Sequence, residues 1–222
     1  MTHPGVHSSS PSASRRASPV QGRRRSPLPR GFYAGDALEV APRLLNKVLV
    51  RGGRSGRIVE VEAYRGSQDP ASHAFRGPTR RNATMFGPPG RLYVYFTYGM
   101  HWCANAVCGP DGDAQAVLLR ALAPLTGLDD MRIARRGGVS GRAVRDRDLI
   151  SGPARLCQAL GVDRADDGAD LVRGDRGLRI VDDGTPPPEE PGVSGRVGVS
   201  QAGDLPWRFW VPGDPYVSGS TR

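Results

Sequence analysis

The chain has 222 residues and a formal net charge of +9, and it is long enough to bury the hydrophobic core of one domain. No apolar run approaches the roughly 18 residues of a membrane span, and no apolar segment near the N-terminus resembles a secretory signal. The three cysteines lack CxxC spacing, which argues against a disulfide framework or a zinc motif and predicts buried free thiols.

Positive charge is concentrated at the N-terminus. Residues 1–35 contain no acidic residue and carry the arginines Arg15, Arg16, Arg23, Arg24, Arg25 and Arg30. Residues 1–30 are also rich in Ser and Pro, which predicts a disordered basic tail before a folded domain over residues 31–222. Three interpretations of this tail stay open: a segment that binds a polyanion such as nucleic acid, a solvated leader without a specific role, and a transit peptide. The abundance of Ser and Arg is typical of a transit peptide, whereas the Pro content argues against its amphipathic helix.

The first half of the chain predicts a helix, two strands around a Gly-Gly turn and a long polar loop. These elements cover residues 37–45, 47–51, 55–64 and 65–90. Asp36 is a suitable N-cap for the helix. In the second strand, two-residue alternation places Ile58, Glu60 and Glu62 on one face. A loop as long as residues 65–90 is usually functional in a compact domain.

The second half predicts a hairpin, a buried strand, two helices and two closing strands. These elements cover residues 91–96, 101–107, 114–122, 126–136, 156–160, 196–199 and 207–211. Gly99 can supply the positive φ that the hairpin turn needs. Thr126 and Asp129 form a capping-box pattern at the start of the first helix, and Gly161 is expected to end the second.

Glu62 is the most informative acidic residue, because it lies in a strand whose neighbours should be buried. Burying an unpaired carboxylate is costly, so this one is either functional or paired with an arginine. Arg57 and Arg120 are the candidate partners. Arg120 itself interrupts an apolar strand, and it is expected to bind a phosphate, to hold a catalytic carboxylate, or to form a structural ion pair.

Aromatic residues make up only 6% of the chain, yet many of them gather in one segment. They are Tyr93, Tyr95, Phe96, Tyr98 and Trp102. Tyr98 lies at the predicted hairpin tip, where an exposed ring can wedge between base pairs. Rings on the body of the sheet, such as Tyr95, can stack on an extruded base. The alternative is an aromatic core cluster, which suits Tyr93 and Phe96 better than it suits Tyr98.

Two further polar side chains are candidate binding residues. His73 lies in the long loop and is either structural or a hydrogen-bonding group of a site. Asn105 lies among apolar residues of a strand, where its amide needs hydrogen-bond partners, and a purine edge is one possible partner.

Four ordered segments resemble the alkyladenine (3-methyladenine, mammalian-type) DNA glycosylases. They are residues 56–64 (GRIVEVEAY), the hairpin residues LYVY, YGM and CAN within 92–105, residues 117–122 (VLLRAL) and residues 151–160 (SGPARLCQAL). The resemblance covers about residues 36–218. It implies an α+β fold, a single domain with a curved antiparallel β-sheet, a protruding β-hairpin and surrounding helices.

The resemblance also assigns roles by motif. It implies that Glu62 activates the attacking water and that Arg120 contacts the DNA backbone and helps to hold Glu62. The remaining residues would bind the substrate: Tyr64, His73 and Tyr95 around a flipped base, Asn105 rejecting guanine, and Tyr98 intercalating through the minor groove.

The activity implied is that of a monofunctional DNA glycosylase in base excision repair, acting on 3-methyladenine, 7-methylguanine and, with less support, hypoxanthine and ethenoadenine. The family's pattern implies a monomer on double-stranded DNA, with no cofactor, no metal and no membrane. A strand-cleaving lyase needs an amine nucleophile, and Lys47, the only lysine, lies on an apolar strand. Two alternatives remain, a non-catalytic nucleic-acid-binding module and a hydrolase of free nucleosides.

The expected cellular compartment depends on whether the host is bacterial or eukaryotic. Free thiols favour a reducing interior. We therefore expect a cytoplasmic, nucleoid-associated protein if the chain is bacterial and a nuclear one if it is eukaryotic.

Overall fold

The computed structural model describes Met1, residues 25–136 and residues 144–219. The strands are β1 Ser26–Pro27, β2 Val48–Arg51, β3 Arg54–Tyr64, β4 Leu92–Thr97, β5 His101–Cys108, β6 Gln115–Thr126, β7 Leu178–Asp182, β8 Gly192–Ser194 and β9 Arg208–Trp210. The α-helices are α1 Arg30–Tyr33, α2 Ala37–Leu44, α3 Leu128–Arg136 and α4 Pro153–Leu160. Short 3-10 helices cover Gly66–Gln68, Ala83–Phe86, Asp146–Asp148 and Arg164–Asp166.

All nine strands form one curved antiparallel sheet in the order β1-β7-β2-β3-β6-β5-β4, with β9 pairing with β3 and β8. β3 is the centre of this arrangement, since it pairs with β2, β6 and β9 along its length. The single α+β domain with a curved antiparallel sheet and a β4–β5 hairpin is confirmed.

The sheet divides the buried residues between two faces. The main core lies on one face, where helix residues such as Leu44 of α2 and Leu156 of α4 join Val94 and Leu119 of the sheet. Burial of each such side chain stabilises the fold by about 1.5–3 kcal/mol. A smaller cluster that includes Tyr93 and Met85 lies outside this core, and Tyr95 packs against it.

A β-bulge changes which residues share a face on β3. The register shifts between Ile58 and Glu60 and again between Glu60 and Val61. Ile58 therefore joins Val61 and Ala63 in the main core. The expectation that Ile58 shares a face with Glu60 is wrong, because the extra residue of a bulge interrupts the two-residue alternation.

Local chemistry explains the helix ends. The Asp36 carboxylate accepts a hydrogen bond from the Leu38 amide at 2.9 Å and caps α2, as predicted. α4 ends at Gly161, whose φ of 67° is left-handed, also as predicted. Thr126 does not cap α3. It ends β6, its hydroxyl donates to the Gly53 carbonyl at 3.1 Å, and the helix begins only at Leu128.

Two further boundaries differ from the sequence predictions. Residues 196–199 do not form a strand, because Arg196 is drawn into a buried ion pair and Gly198 turns the chain at a φ of 75°. Residues before 31 also contribute to the fold, since β1 pairs with β7 and Leu28 is buried. The rest of the predicted tail, residues 2–24, lies outside the described residues.

The three cysteines are buried and form no disulfide, as expected; they are Cys103, Cys108 and Cys157.

Within the described ranges, no helix is long and apolar enough to cross a membrane.

Candidate active site

A cavity of about 550 Å³ opens on the sheet face opposite the main core, a size usual for small-ligand sites. Strand alternation builds its wall, because Tyr93, Tyr95 and Asn105 face the cavity while Val94 and Ala104 face the core. Further lining comes from Tyr64, Leu118 and Arg120 of the sheet, from loop residues 70–73, and from residues 197–201.

The Glu62 carboxylate lies just behind this wall. It has no exposed surface, and Tyr64 and Arg120, rather than Glu62 itself, line the cavity. Oε1 of Glu62 accepts a hydrogen bond from the Val197 amide at 2.8 Å and lies 3.1 Å from Nη1 of Arg120. Oε2 accepts a hydrogen bond from the Tyr64 hydroxyl at 3.0 Å. The carboxylate is therefore held from three sides.

Arg120 bridges two buried carboxylates. Its Nε donates to Oε1 of Glu60 at 2.8 Å, while its Nη1 contacts Glu62. Glu60 also accepts hydrogen bonds from Nε of Arg208 at 2.7 Å and from the Ser218 amide at 2.6 Å. Of the two candidate partners for Glu62, the structure selects Arg120. Arg57 pairs with Asp183 instead.

These contacts favour the charged forms of Glu60 and Arg120. Burial acts to raise the pKa of Glu60, but Arg120 and the Ser218 hydrogen bonds outweigh it, and the net pKa is lowered. For Arg120, burial opposes the charged form, and the carboxylates of Glu62 and Glu60 nevertheless raise its pKa. Burial, followed by the charge of Glu62, raises the pKa of Tyr64, so its phenol stays protonated and donates.

His73 stands partly exposed beside the tyrosine wall. Its Nδ1 lies 3.0 Å from the Tyr93 hydroxyl, and its ring meets that of Tyr95 edge-on with centroids 4.4 Å apart. Tyr93 and Tyr95 are stacked at 5.5 Å. Partial burial lowers the pKa of His73 and the charge of Arg81 lowers it further, so both disfavour the protonated imidazole.

Asn105 is buried, whereas Tyr98 is exposed to solvent. Asn105 is buried in the cavity wall, and its Nδ2 donates to the Tyr93 carbonyl at 3.1 Å. Tyr98 lies at the tip of the β4–β5 hairpin, where 77% of it is exposed and its φ is 51°. Its ring reaches the cavity mouth. The structure thus brings all seven predicted site residues together around one cavity.

Sequence reasoning missed an ion pair that supports the site. Arg196 is fully buried and donates to Asp69 through Nη1 at 2.5 Å and Nη2 at 2.8 Å. Its guanidinium also lies over the Tyr64 ring, 4.7 Å from the centroid. Asp69 precedes the loop that carries His73, and 127 positions separate the two partners, so no local pattern indicated the pair.

Within the residues that the structure describes, no group of three or more His, Cys, Asp or Glu side chains could hold a metal ion.

Comparison with known proteins identifies the family of this chain. Residues 31–215 match the family model described as methylpurine-DNA glycosylase (MPG). A provisionally named 3-methyladenine DNA glycosylase of Burkholderia lata is 59% identical over 193 residues, which cover 86% of this chain and 91% of the relative. Similarly named proteins of Leifsonia xyli subsp. xyli and Carboxydothermus hydrogenoformans are 53% and 49% identical, covering 87% and 86% of this chain and 92% and 98% of theirs. The chain therefore belongs to the methylpurine-DNA glycosylase family and is a DNA glycosylase, an enzyme that hydrolyses N-glycosyl bonds.

Proposed function

We propose that this enzyme turns a damaged purine out of duplex DNA into the tyrosine-walled cavity and hydrolyses its bond to deoxyribose. The lesions proposed are 3-methyladenine, 7-methylguanine, hypoxanthine and ethenoadenine. The observation that carries the proposal is the buried Glu62 carboxylate directly behind the cavity wall, paired with Arg120, which lines the cavity together with the exposed Tyr98.

Base binding is assigned to the aromatic wall. Turning a base out of the stack costs a few kcal/mol, least where pairing is already weak, and stacking on aromatic rings returns about 1–3 kcal/mol per base. Tyr64 and Tyr95 supply the rings, and His73 supplies a hydrogen-bonding edge. Asn105 presents an amide in the wall, where the exocyclic amino group of guanine would clash. 7-Methylguanine has the same amino group, and it is released despite this clash because its positive charge makes it a good leaving group. Tyr98 fills the gap left in the duplex.

The chemical step is assigned to Glu62. The bond between C1′ and the purine nitrogen breaks, its electron pair leaves with the base, and the sugar approaches an oxocarbenium ion that a carboxylate stabilises. A water oxygen then bonds to C1′. Because Glu62 is separated from the cavity by one side chain, the water's proton passes to Tyr64 Oη while the Tyr64 proton passes to Oε2 of Glu62, 3.0 Å away.

The charge of the damaged base decides whether the base must be protonated as it leaves. A purine alkylated on a ring nitrogen is cationic and becomes neutral when it takes the bonding electrons. A neutral lesion such as hypoxanthine must be protonated as it departs. Arg120 holds Glu62 in place and presents positive charge to the DNA backbone at the cavity wall.

The enzyme is proposed to be monofunctional and to act as a monomer on the bacterial chromosome, without a cofactor. A lyase needs a free amine. Lys47 is instead buried, with its Nζ 2.8 Å from Asp182, and it does not line the cavity. Borohydride treatment of the enzyme on abasic DNA should trap no covalent adduct, and a trapped adduct would refute the monofunctional assignment.

Base release under single-turnover conditions tests the function. Matched duplexes carrying one hypoxanthine, ethenoadenine or 7-methylguanine are incubated with excess enzyme, and the free base is quantified. We expect release from duplex DNA and none from the corresponding free nucleosides. Binding of lesion duplex without release would favour the non-catalytic nucleic-acid-binding alternative, and release from nucleosides would favour the nucleoside hydrolase.

A further inference from the structure

Both tyrosines that would contact the base carry an arginine over their rings. The Arg81 guanidinium carbon lies 5.7 Å from the Tyr95 ring centroid, and that of Arg196 lies 4.7 Å from the Tyr64 centroid. Tyr64 and Tyr95 line the cavity, whereas neither arginine does. Each guanidinium therefore lies over a ring of the cavity wall without lining the cavity itself.

Arg81 is held in this position by the hairpin. Its Nη2 donates to the Phe96 carbonyl at 3.0 Å, directly after Tyr95 in the chain. The charge of Arg81 also lowers the pKa of His73, after partial burial. Arg81 thus disfavours positive charge on a group that sits beside Tyr95 at the cavity.

The cavity wall offers a cationic base no carboxylate among the residues that line it. Arg120 is the charged side chain of this lining, and its two paired carboxylates, Glu60 and Glu62, are buried and do not line the cavity. An aromatic face attracts a cation through its electron density. A guanidinium already bound to the ring uses part of that attraction and repels a second cation across the ring.

We propose that Arg81 is a specificity-determining residue that shifts this enzyme's preference from cationic alkylated purines toward neutral lesion purines. The inference rests on the proposed function and deepens it by naming the charge class of the substrate that Arg81 favours. Arg196 also lies over the Tyr64 ring, but its buried pair with Asp69 compensates its charge, so the inference concerns Arg81.

Arg81 is the residue to test because it is exposed, so its replacement should leave the core intact. The readout is the ratio of kmax/K1/2 for 3-methyladenine, which is cationic, to that for hypoxanthine, which is neutral, in otherwise identical duplexes. Any general loss of DNA affinity from removing a surface charge cancels in this ratio. At about pH 8 His73 is neutral in every variant, so its titration does not contribute.

For Arg81→Gln we expect this ratio to rise about two- to fivefold, the range corresponding to an exposed cation–π contact. Arg81→Lys keeps the positive charge, so this variant should show the same ratio as the wild type. Arg80→Gln removes the preceding exposed arginine, which lies over no ring among the described residues, and should leave the ratio unchanged.

An unchanged or lowered ratio in Arg81→Gln would overturn the proposal, as would an equal rise in Arg80→Gln. These results differ from a failure of the proposed function, in which the wild-type enzyme would release neither base.

Discussion

The Tyr64 hydroxyl donates a 3.0 Å hydrogen bond to Oε2 of Glu62. Tyr64 lines the cavity and Glu62 has no exposed surface, so this phenol connects the substrate space to the buried carboxylate. One side chain thereby combines a ring that can stack on a base with a proton donor directed at the proposed catalytic group.

Tyr64→Phe separates these two functions, because it keeps the ring and removes the hydroxyl. A hydrogen bond to a charged group contributes about 1.5–3 kcal/mol, so we expect base release to slow by about tenfold or more while lesion binding is retained. Single-turnover release and equilibrium binding to a lesion duplex measure the two effects. Tyr93→Phe is the matched control, since its hydroxyl contacts His73 instead. Wild-type release by Tyr64→Phe would remove the phenol from the proton path.

Glu62→Gln tests the catalytic carboxylate. The amide keeps the size of the side chain but cannot accept the proton, so release should fall by about 100- to 10,000-fold with lesion binding nearly intact. Glu190→Gln changes an exposed glutamate and should have no effect. Release at the wild-type rate would show that Glu62 is not the base, and a matching loss of thermal stability would point to a structural ion pair with Arg120.

Tyr98→Ser tests the hairpin wedge. The exposed ring can fill a gap only in a stacked duplex, so binding to lesion duplexes should weaken by about 1–3 kcal/mol and binding to single strands far less. Fluorescence anisotropy with both DNA forms measures the difference. Ile133→Ser removes a side chain that is 64% exposed on α3, outside the cavity, and should change neither value. Equal losses on both DNA forms would contradict intercalation.

The titration of His73 tests the electrostatics of the cavity mouth. Its pKa should lie below the ordinary value of about 6.5, first because of partial burial and second because of Arg81. NMR of the imidazole gives the midpoint, and the His73→Gln spectrum assigns the signal. Arg81→Gln should move the midpoint upward, and an unmoved midpoint would show that Arg81 exerts no field there.

The lowered pKa of His73 also determines how the free energy of unfolding depends on pH. The unfolded chain binds the His73 proton at a higher pH than the folded protein does. The free energy of unfolding should therefore fall as the pH drops through about 6.5. Urea unfolding above and below that pH should show a smaller fall for His73→Gln than for the wild type.

Much of the fold follows from short-range chemistry that the sequence states directly. The Asp36 cap, the left-handed Gly161 and the β4–β5 hairpin depend on neighbours within a few residues. Alternation within a regular strand likewise places Tyr93 and Tyr95 on one face without knowledge of any distant residue. Motif resemblance then supplies the candidate site residues.

Tertiary structure decided which of these groups meet. The bulge at Glu60, the choice of Arg120 over Arg57 and the Asp69–Arg196 pair all depend on register and on residues far away in the chain. One inserted residue in a strand reverses the faces of everything beyond it, and long-range ion pairs leave no periodic pattern. The sequence by itself determined the longer helices and strands and the inventory of reactive side chains. Packing alone determined that Glu62 lies behind the cavity wall, where burial and shared partners set its chemistry.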